Sequence, residues 1–154
     1  VLRYANCIQS VDRLELAQKL NRRLQYEGRS IDVLIQVNTS AEESKFGVAP
    51  ENAVQLVKAI AAMDAICIKG LMTIGIFSAE TEKVRKCFRL LKNIQDQIKD
   101  LNLPNVTMDE LSMGMSGDLE TAISEGATIV RVGTAVFGRR AYPDSYYWNE
   151  NPKE

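Results

Sequence analysis

Histidine is missing from the 154 residues of this chain, and that absence removes several chemistries at once. Without an imidazole there is no Ser–His or Cys–His nucleophile pair, the commonest general base is gone, and most transition-metal sites lose their usual ligand. Cysteine is scarce: Cys7, Cys67 and Cys87 stand far apart among apolar neighbours, in an odd number and in no Cys-x-x-Cys arrangement. Such thiols read as small buried hydrophobes in a reducing compartment, not as a disulfide frame or a metal site. Neither sign of charge prevails, with 19 Lys and Arg against 20 Asp and Glu, so neither nucleic acid nor an anionic membrane surface is expected as a partner. No apolar run approaches the roughly 20 residues a spanning helix needs, and no signal-peptide pattern opens the chain. A soluble, cytoplasmic protein is the expectation. An initiator Met is absent too: the chain starts at Val1, directly in apolar sequence, as processing or truncation would leave it.

What is present is 45% hydrophobic sequence, enough for one domain with a real core. Tyr4 to Val11 reads as a short strand. Asp12 is placed to cap a helix striped by Leu14, Leu16, Ala17, Leu20 and Leu24, with Gly28 as its stop. Ile31 to Val37 is nearly continuously apolar, as in a strand buried on both faces. After a polar loop, Pro50 suits the first turn of a helix carrying Val54, Leu56, Val57, Ile60 and Ala61. The pattern repeats with a strand over Ala65 to Ile74 and a long helix from about Glu80 to Leu101. A strand over Thr107 to Ser112, a helix over Leu119 to Glu125 and a strand over Thr128 to Val132 follow. Five strands alternating with helices imply parallel pairing. Periodicity alone leaves an open doubly wound sheet and part of a closed barrel both standing. In either, ligands gather at the carboxyl ends of the strands.

Two stretches at such ends draw attention. Leu111 to Asp118 (LSMGMSGD) and Arg131 to Gly138 (RVGTAVFG) each run from an apolar strand into small residues. Glycine lets backbone approach an anion, Ser and Thr add hydroxyl donors, and a helix start supplies free N–H groups. Each turn alone is ordinary punctuation between strand and helix; side by side, the two make an anion cradle. Arg131 lies in an otherwise apolar strand, where a charge needs a partner. A polar ligand and a carboxylate such as Asp109 or Glu110 both qualify.

These two stretches, with Val33 to Ser40 (VLIQVNTS), Glu43-Ser44-Lys45 and Lys69 to Gly75 (KGLMTIG), closely resemble the pyridoxal 5′-phosphate homeostasis proteins, relatives of the N-terminal barrel of alanine racemase. The resemblance runs from about Ser10 to Tyr142. It implies an α/β fold of the (β/α)8 TIM-barrel family, here about five β/α units of an incomplete barrel. Residues 1–143 would form a partial cofactor-binding barrel domain and 144–154, with Tyr146, Tyr147 and Trp148, an irregular tail. The implied cofactor is pyridoxal 5′-phosphate, and the implied role is to carry and buffer it without assigned catalysis, with pyridoxal phosphate-dependent apo-enzymes as partners.

Residue by residue, the resemblance assigns Ser116 and Thr134, with the backbone of Gly117 and Gly133, to the cofactor phosphate, and Arg131 to the pyridine nitrogen. Met115 is placed against the ring, although Met at a strand end also serves as core filler; Met113 and Met72 share that ambiguity. Asn38 and Thr73 end strands at the same mouth, as contacts to the site or as loop starters. Lys45 is either a site for a secondary imine or a solvated cation balanced by Glu42 and Glu43. One motif is missing: the family's Schiff-base lysine lies in a Val-Ser-Lys-Thr-like segment ending the first strand, and no such segment occurs in this chain. The expectation is therefore a piece lacking three N-terminal strands. It would expose two long apolar edges and an unfilled interior, and would be unstable or associate. A second reading rests on the anion turns alone, an isomerase or aldolase acting on a sugar phosphate, with Asp118, Glu110 or Lys45 as base. A third is an interaction module using the aromatic tail.

Overall fold

Strand and helix alternate from the first element to the last in the computed structural model, which describes residues 1–42, 45–139 and 141. The order is β1 (Cys7–Val11), α1 (Leu14–Glu27), β2 (Ile31–Gln36), α2 (Pro50–Ala61), β3 (Ile66–Met72), α3 (Thr81–Lys99), β4 (Val106–Met115), α4 (Leu119–Ser124), β5 (Ile129–Arg131) and α5 (Thr134–Phe137). The strands form one sheet in sequence order, β1-β2-β3-β4-β5, every pair parallel. The tail from 144, including Tyr146 to Trp148, lies outside the described residues.

The helices follow from their apolar stripes. In α3, Val84, Phe88, Leu91, Ile94 and Ile98 are buried along one side, and five such side chains contribute roughly 7–15 kcal/mol of gross burial energy. Pro50 opens α2 as expected, and α1 stops at Gly28. Its start differs from expectation. Arg13, not Asp12, precedes the first turn, and the Asp12 carboxylate accepts from the Arg13 guanidinium at 2.6 Å instead of capping a helix amide. An adjacent charge competes successfully with the neutral amides.

Strand pleating sorts side chains onto two faces. Ile31, Val33 and Ile35 of β2 join the helix-side core with Ile66, Ile68, Leu71, Leu111 and Met113. The opposite face carries Gln9, Asp32, Leu34, Lys69 and Glu110 around an open hollow. That face is concave. The Ser112 hydroxyl donates to Gln9 Oε1 at 2.8 Å, although β1 and β4 are separated by two intervening strands. In a flat sheet three strand spacings amount to about 14 Å, whereas a Gln and a Ser side chain plus one hydrogen bond span roughly 10 Å. The sheet must curl for them to meet, and five curled parallel strands backed by helices are part of a barrel wall.

The edge strands of that wall are five residues in β1 and three in β5, the latter shorter than expected. The interior face is mixed, with Lys69 Nζ 3.9 Å from Asp32 and with Leu34 and Ile129 beside them. Cys7 also opens onto it, exposed and not buried as expected, while Cys67 is half-buried and Cys87 buried, all three free. Partial burial and the carboxylates of Asp32 and Glu110 push the Cys7 thiol up, so it stays protonated at neutral pH.

Candidate phosphate-binding site

The β4 strand reaches further than its sequence suggests. It continues through Met113 and Gly114 to Met115, which pairs in register with Arg131 of β5. Pairing that far along brings the turn after β4 beside the turn after β5. Gly114 is what permits it: its φ is +92°, and a Cβ there would lie 2.4 Å from the Ala122 Cβ of α4. Beyond it, Asp118 closes the turn, its Oδ1 accepting from the Met115 amide at 2.6 Å while its own amide donates to the Met115 carbonyl at 3.1 Å.

Ser116 is thereby set against the start of α5. Its hydroxyl oxygen accepts from the Gly133 amide at 3.2 Å and the Ala135 amide at 3.1 Å. Two backbone donors thus converge on one oxygen, as they would on an oxygen of a bound anion. The space beside them is open, since a Cβ at Gly117 or Gly133 would meet no atom within 4 Å. These turns line a cavity of about 310 Å³ with Met115, Ser116, Gly117, Asp118, Arg131, Gly133 and Thr134, closed on one side by Ile76, Phe77 and Ser78 of the β3–α3 loop.

Arg131 supplies the cavity's positive charge. Its Nη1 donates to Ser112 Oγ at 2.8 Å and its Nη2 to the Thr73 carbonyl at 2.7 Å. Neither acceptor is charged. The carboxylates proposed to neutralise it are engaged elsewhere, Asp109 near Lys99 at 3.7 Å and Glu110 accepting from the Thr128 hydroxyl. Burial pulls the guanidinium down from its ordinary value and the nearby Asp118 charge opposes that, yet arginine stays protonated. A half-buried cation whose hydrogen-bond acceptors are both neutral, with one carboxylate nearby, still attracts an anion.

Of the eight residues assigned to the cofactor from sequence, Met115, Ser116, Gly117, Arg131, Gly133 and Thr134 meet at this cavity, as does Asp118, named as a candidate base. The other two do not line it. Asn38 is sewn into its own loop, donating to the carbonyls of Glu42 and Lys45 and accepting from the Ser40 amide and hydroxyl. Lys45 Nζ donates to Glu42 at 3.1 Å and to the Gly75 carbonyl at 2.8 Å, tying the β2–α2 loop to the β3–α3 loop; it is neither a free surface cation nor a cavity amine. Met113 is fully buried on the helix side and Met72 is buried as well. Thr73 is a hub: its hydroxyl donates to the Val37 carbonyl and accepts from Gly75 N–H. That single proton is spent, so Thr39 is the donor in the 2.9 Å contact between the two threonines. Sequence reasoning missed the Ile76–Ser78 wall and the roles of Gln9 and Ser112, which are polar residues among others on mixed strands and carry no distinguishing signal.

A curled wall of parallel strands backed by helices, with small-residue turns at its carboxyl ends, has the architecture of part of a barrel of the alanine racemase N-terminal type. The chain belongs to that family: the model of the alanine racemase N-terminal domain matches residues 1–141. It is 39% identical over 145 residues to the pyridoxal phosphate homeostasis protein of Haemophilus influenzae, and 44% identical over 135 residues to that of Aquifex aeolicus. The matches take in 94% and 88% of this chain and 61% and 58% of those proteins, so the chain spans about three-fifths of the length of these curated relatives. Among solved structures, PipY of Synechococcus elongatus PCC7942 with PLP bound superposes with a TM-score of 0.77 at 29% identity, over 88% of this chain and 62% of PipY.

Proposed function

We propose that this chain binds pyridoxal 5′-phosphate through its phosphate and takes part in cofactor homeostasis in the cytoplasm, as a carrier that exchanges the cofactor with dependent apo-enzymes. The observation that carries the reading is the convergence of the Gly133 and Ala135 amides on one oxygen position in a cavity that also holds a guanidinium hydrogen-bonded only to neutral groups. The shared family and the printed names of the relatives support the same ligand. No helix among the described residues is long and apolar enough to cross a membrane.

The residues present fit such a ligand. Ser116, Thr134 and the amides of Gly117 and Gly133 would hold the phosphate by hydrogen bonds whose strength comes from its two negative charges. Arg131 uses two of its five N–H donors on Ser112 and Thr73 and has no acceptor of its own. Toward a ring nitrogen it can only donate, which keeps that nitrogen unprotonated and the ring a weak electron sink. When bound, pyridoxal phosphate supplies a reactive aldehyde and an electron-accepting ring. Among the described residues no lysine lines the cavity, and the attachment is noncovalent in this reading. A sugar phosphate enzyme has less support, because Asp118 is occupied in closing its turn and Lys45 in clasping two loops.

Equilibrium binding compares the candidates directly. Pyridoxal phosphate should bind more tightly than pyridoxal and than inorganic phosphate, and borohydride should fix it at no unique lysine. Equal affinity for pyridoxal and its phosphate ester would sink the reading.

A further inference from the structure

We infer that Gln9 and Ser112 are positioning residues for Arg131, forming a neutral relay that aims its guanidinium into the cavity without adding a counter-charge. The direction of the relay follows from proton counting. Arg131 Nη1 can only donate, so Ser112 Oγ accepts at 2.8 Å; the one Ser112 proton then goes to Gln9 Oε1, also at 2.8 Å. Ser112 is wholly buried, so water does not readily substitute for its hydroxyl.

Three features make this more than packing. The relay runs from the edge strand β1 across the concave face to β4 and on to β5, and so ties the first strand to the site. It ends on a neutral amide, although Asp32 and Glu110 share that face with Gln9. A carboxylate as terminus would offset the Arg131 charge through the hydroxyl; an amide orders the group without neutralising it. Finally, the Thr73 carbonyl holds Nη2 from the other side at 2.7 Å, so Ser112 and Thr73 together fix the guanidinium plane. Removing either end of the relay frees rotation about that plane while the phosphate-gripping turns, built from Ser116, Gly133 and Ala135, keep their own hydrogen bonds.

The ordering of Arg131 stands on geometry alone; its effect on affinity rests on the reading of the cavity as a pyridoxal phosphate site. The test uses the full chain with Gln9→Leu, Ser112→Ala and the double variant, each checked by its thermal melt. Gln9 is half-buried on an edge strand, so its variant remains informative should Ser112→Ala not fold. The first readout needs no ligand: the rate at which phenylglyoxal modifies the Arg131 peptide, followed by mass spectrometry. Each single variant should raise it roughly fivefold, the loss of about one hydrogen bond, and the double variant should add little, because both residues act through one chain of bonds. Unchanged rates, or a double effect equal to the product of the singles, would overturn the relay.

The second readout is affinity. Pyridoxal phosphate binding should weaken roughly fivefold in each variant while inorganic phosphate holds within about twofold. Equal weakening of both ligands would mean a general structural role and overturn the positioning claim. Wild-type chain that prefers neither ligand would instead sink the cofactor reading, with the relay judged by phenylglyoxal alone.

Discussion

Replacing Ser116 with Ala sets two opposed effects against each other, and their sizes decide the outcome. In the free protein the hydroxyl oxygen satisfies the Gly133 and Ala135 amides at 3.2 and 3.1 Å. Both residues are exposed, so water can replace the oxygen, and its loss costs stability only about 0.5–1 kcal/mol. The same loss removes a competitor that an incoming phosphate must displace, which favours binding by up to about 1 kcal/mol. Against this, the bound phosphate loses a hydroxyl donor, and a hydrogen bond to a charged group is worth about 1.5–3 kcal/mol. The balance is a net loss of about 1–2 kcal/mol, or roughly five- to thirtyfold in the dissociation constant. Titration calorimetry with pyridoxal phosphate, inorganic phosphate and pyridoxal checks it. The first two should weaken together and pyridoxal should not change, with Tm falling by no more than a few degrees. Unaltered phosphate affinity, or an equal loss for pyridoxal, would refute the assignment of Ser116 to the phosphate.

Other consequences concern the frame around the site. Gly114→Ala combines a φ of +92° with a Cβ 2.4 Å from Ala122 and should cost about 2–5 kcal/mol. Gly117→Ala, which meets open space, should stay within about 0.5 kcal/mol, and denaturant unfolding separates the pair. Lys45→Met breaks the clasp on the Gly75 carbonyl; amide exchange should quicken in the Ile76–Ser78 wall, and reduction with borohydride in the presence of pyridoxal phosphate should leave wild-type Lys45 unlabelled. Hydrogen bonds from Arg85 and Arg89 hold the Glu125 carboxyl below the ordinary carboxylate value. Its contribution to stability is therefore full above that ordinary value and is lost as the pH falls through the lowered one, so Glu125→Gln should flatten this part of an acid-unfolding profile.

Much of the fold was legible in the linear pattern. The α3 stripe, Pro50 and Gly28 act through local geometry, and the continuous apolar run of β2 needs only the knowledge that parallel strands are covered on both sides. The small residues of the cavity, Ser116, Gly117, Gly133 and Thr134, were legible as two neighbouring turns at strand ends, and the resemblance added Met115 and Arg131. Asn38 and Lys45 share the same mouth in sequence terms, but which loop a flexible polar side chain joins depends on carbonyls 4 to 30 positions away. Asp12 was misjudged because a neighbouring guanidinium outcompetes a helix amide for its carboxylate.

Composition and periodicity alone determined that strands and helices alternate, that the small-residue turns fall at one end of the strands, and that these 154 residues supply no imidazole. Only the tertiary structure decided how far the sheet curls, since that depends on Gln9 meeting Ser112 across 103 positions of chain. It also decided that Arg131 hydrogen-bonds to neutral groups while Asp109 and Glu110 turn elsewhere. Hydrogen bonds between distant strands exist only once the backbone has curved to bring them within about 3 Å, and no local pattern encodes that distance.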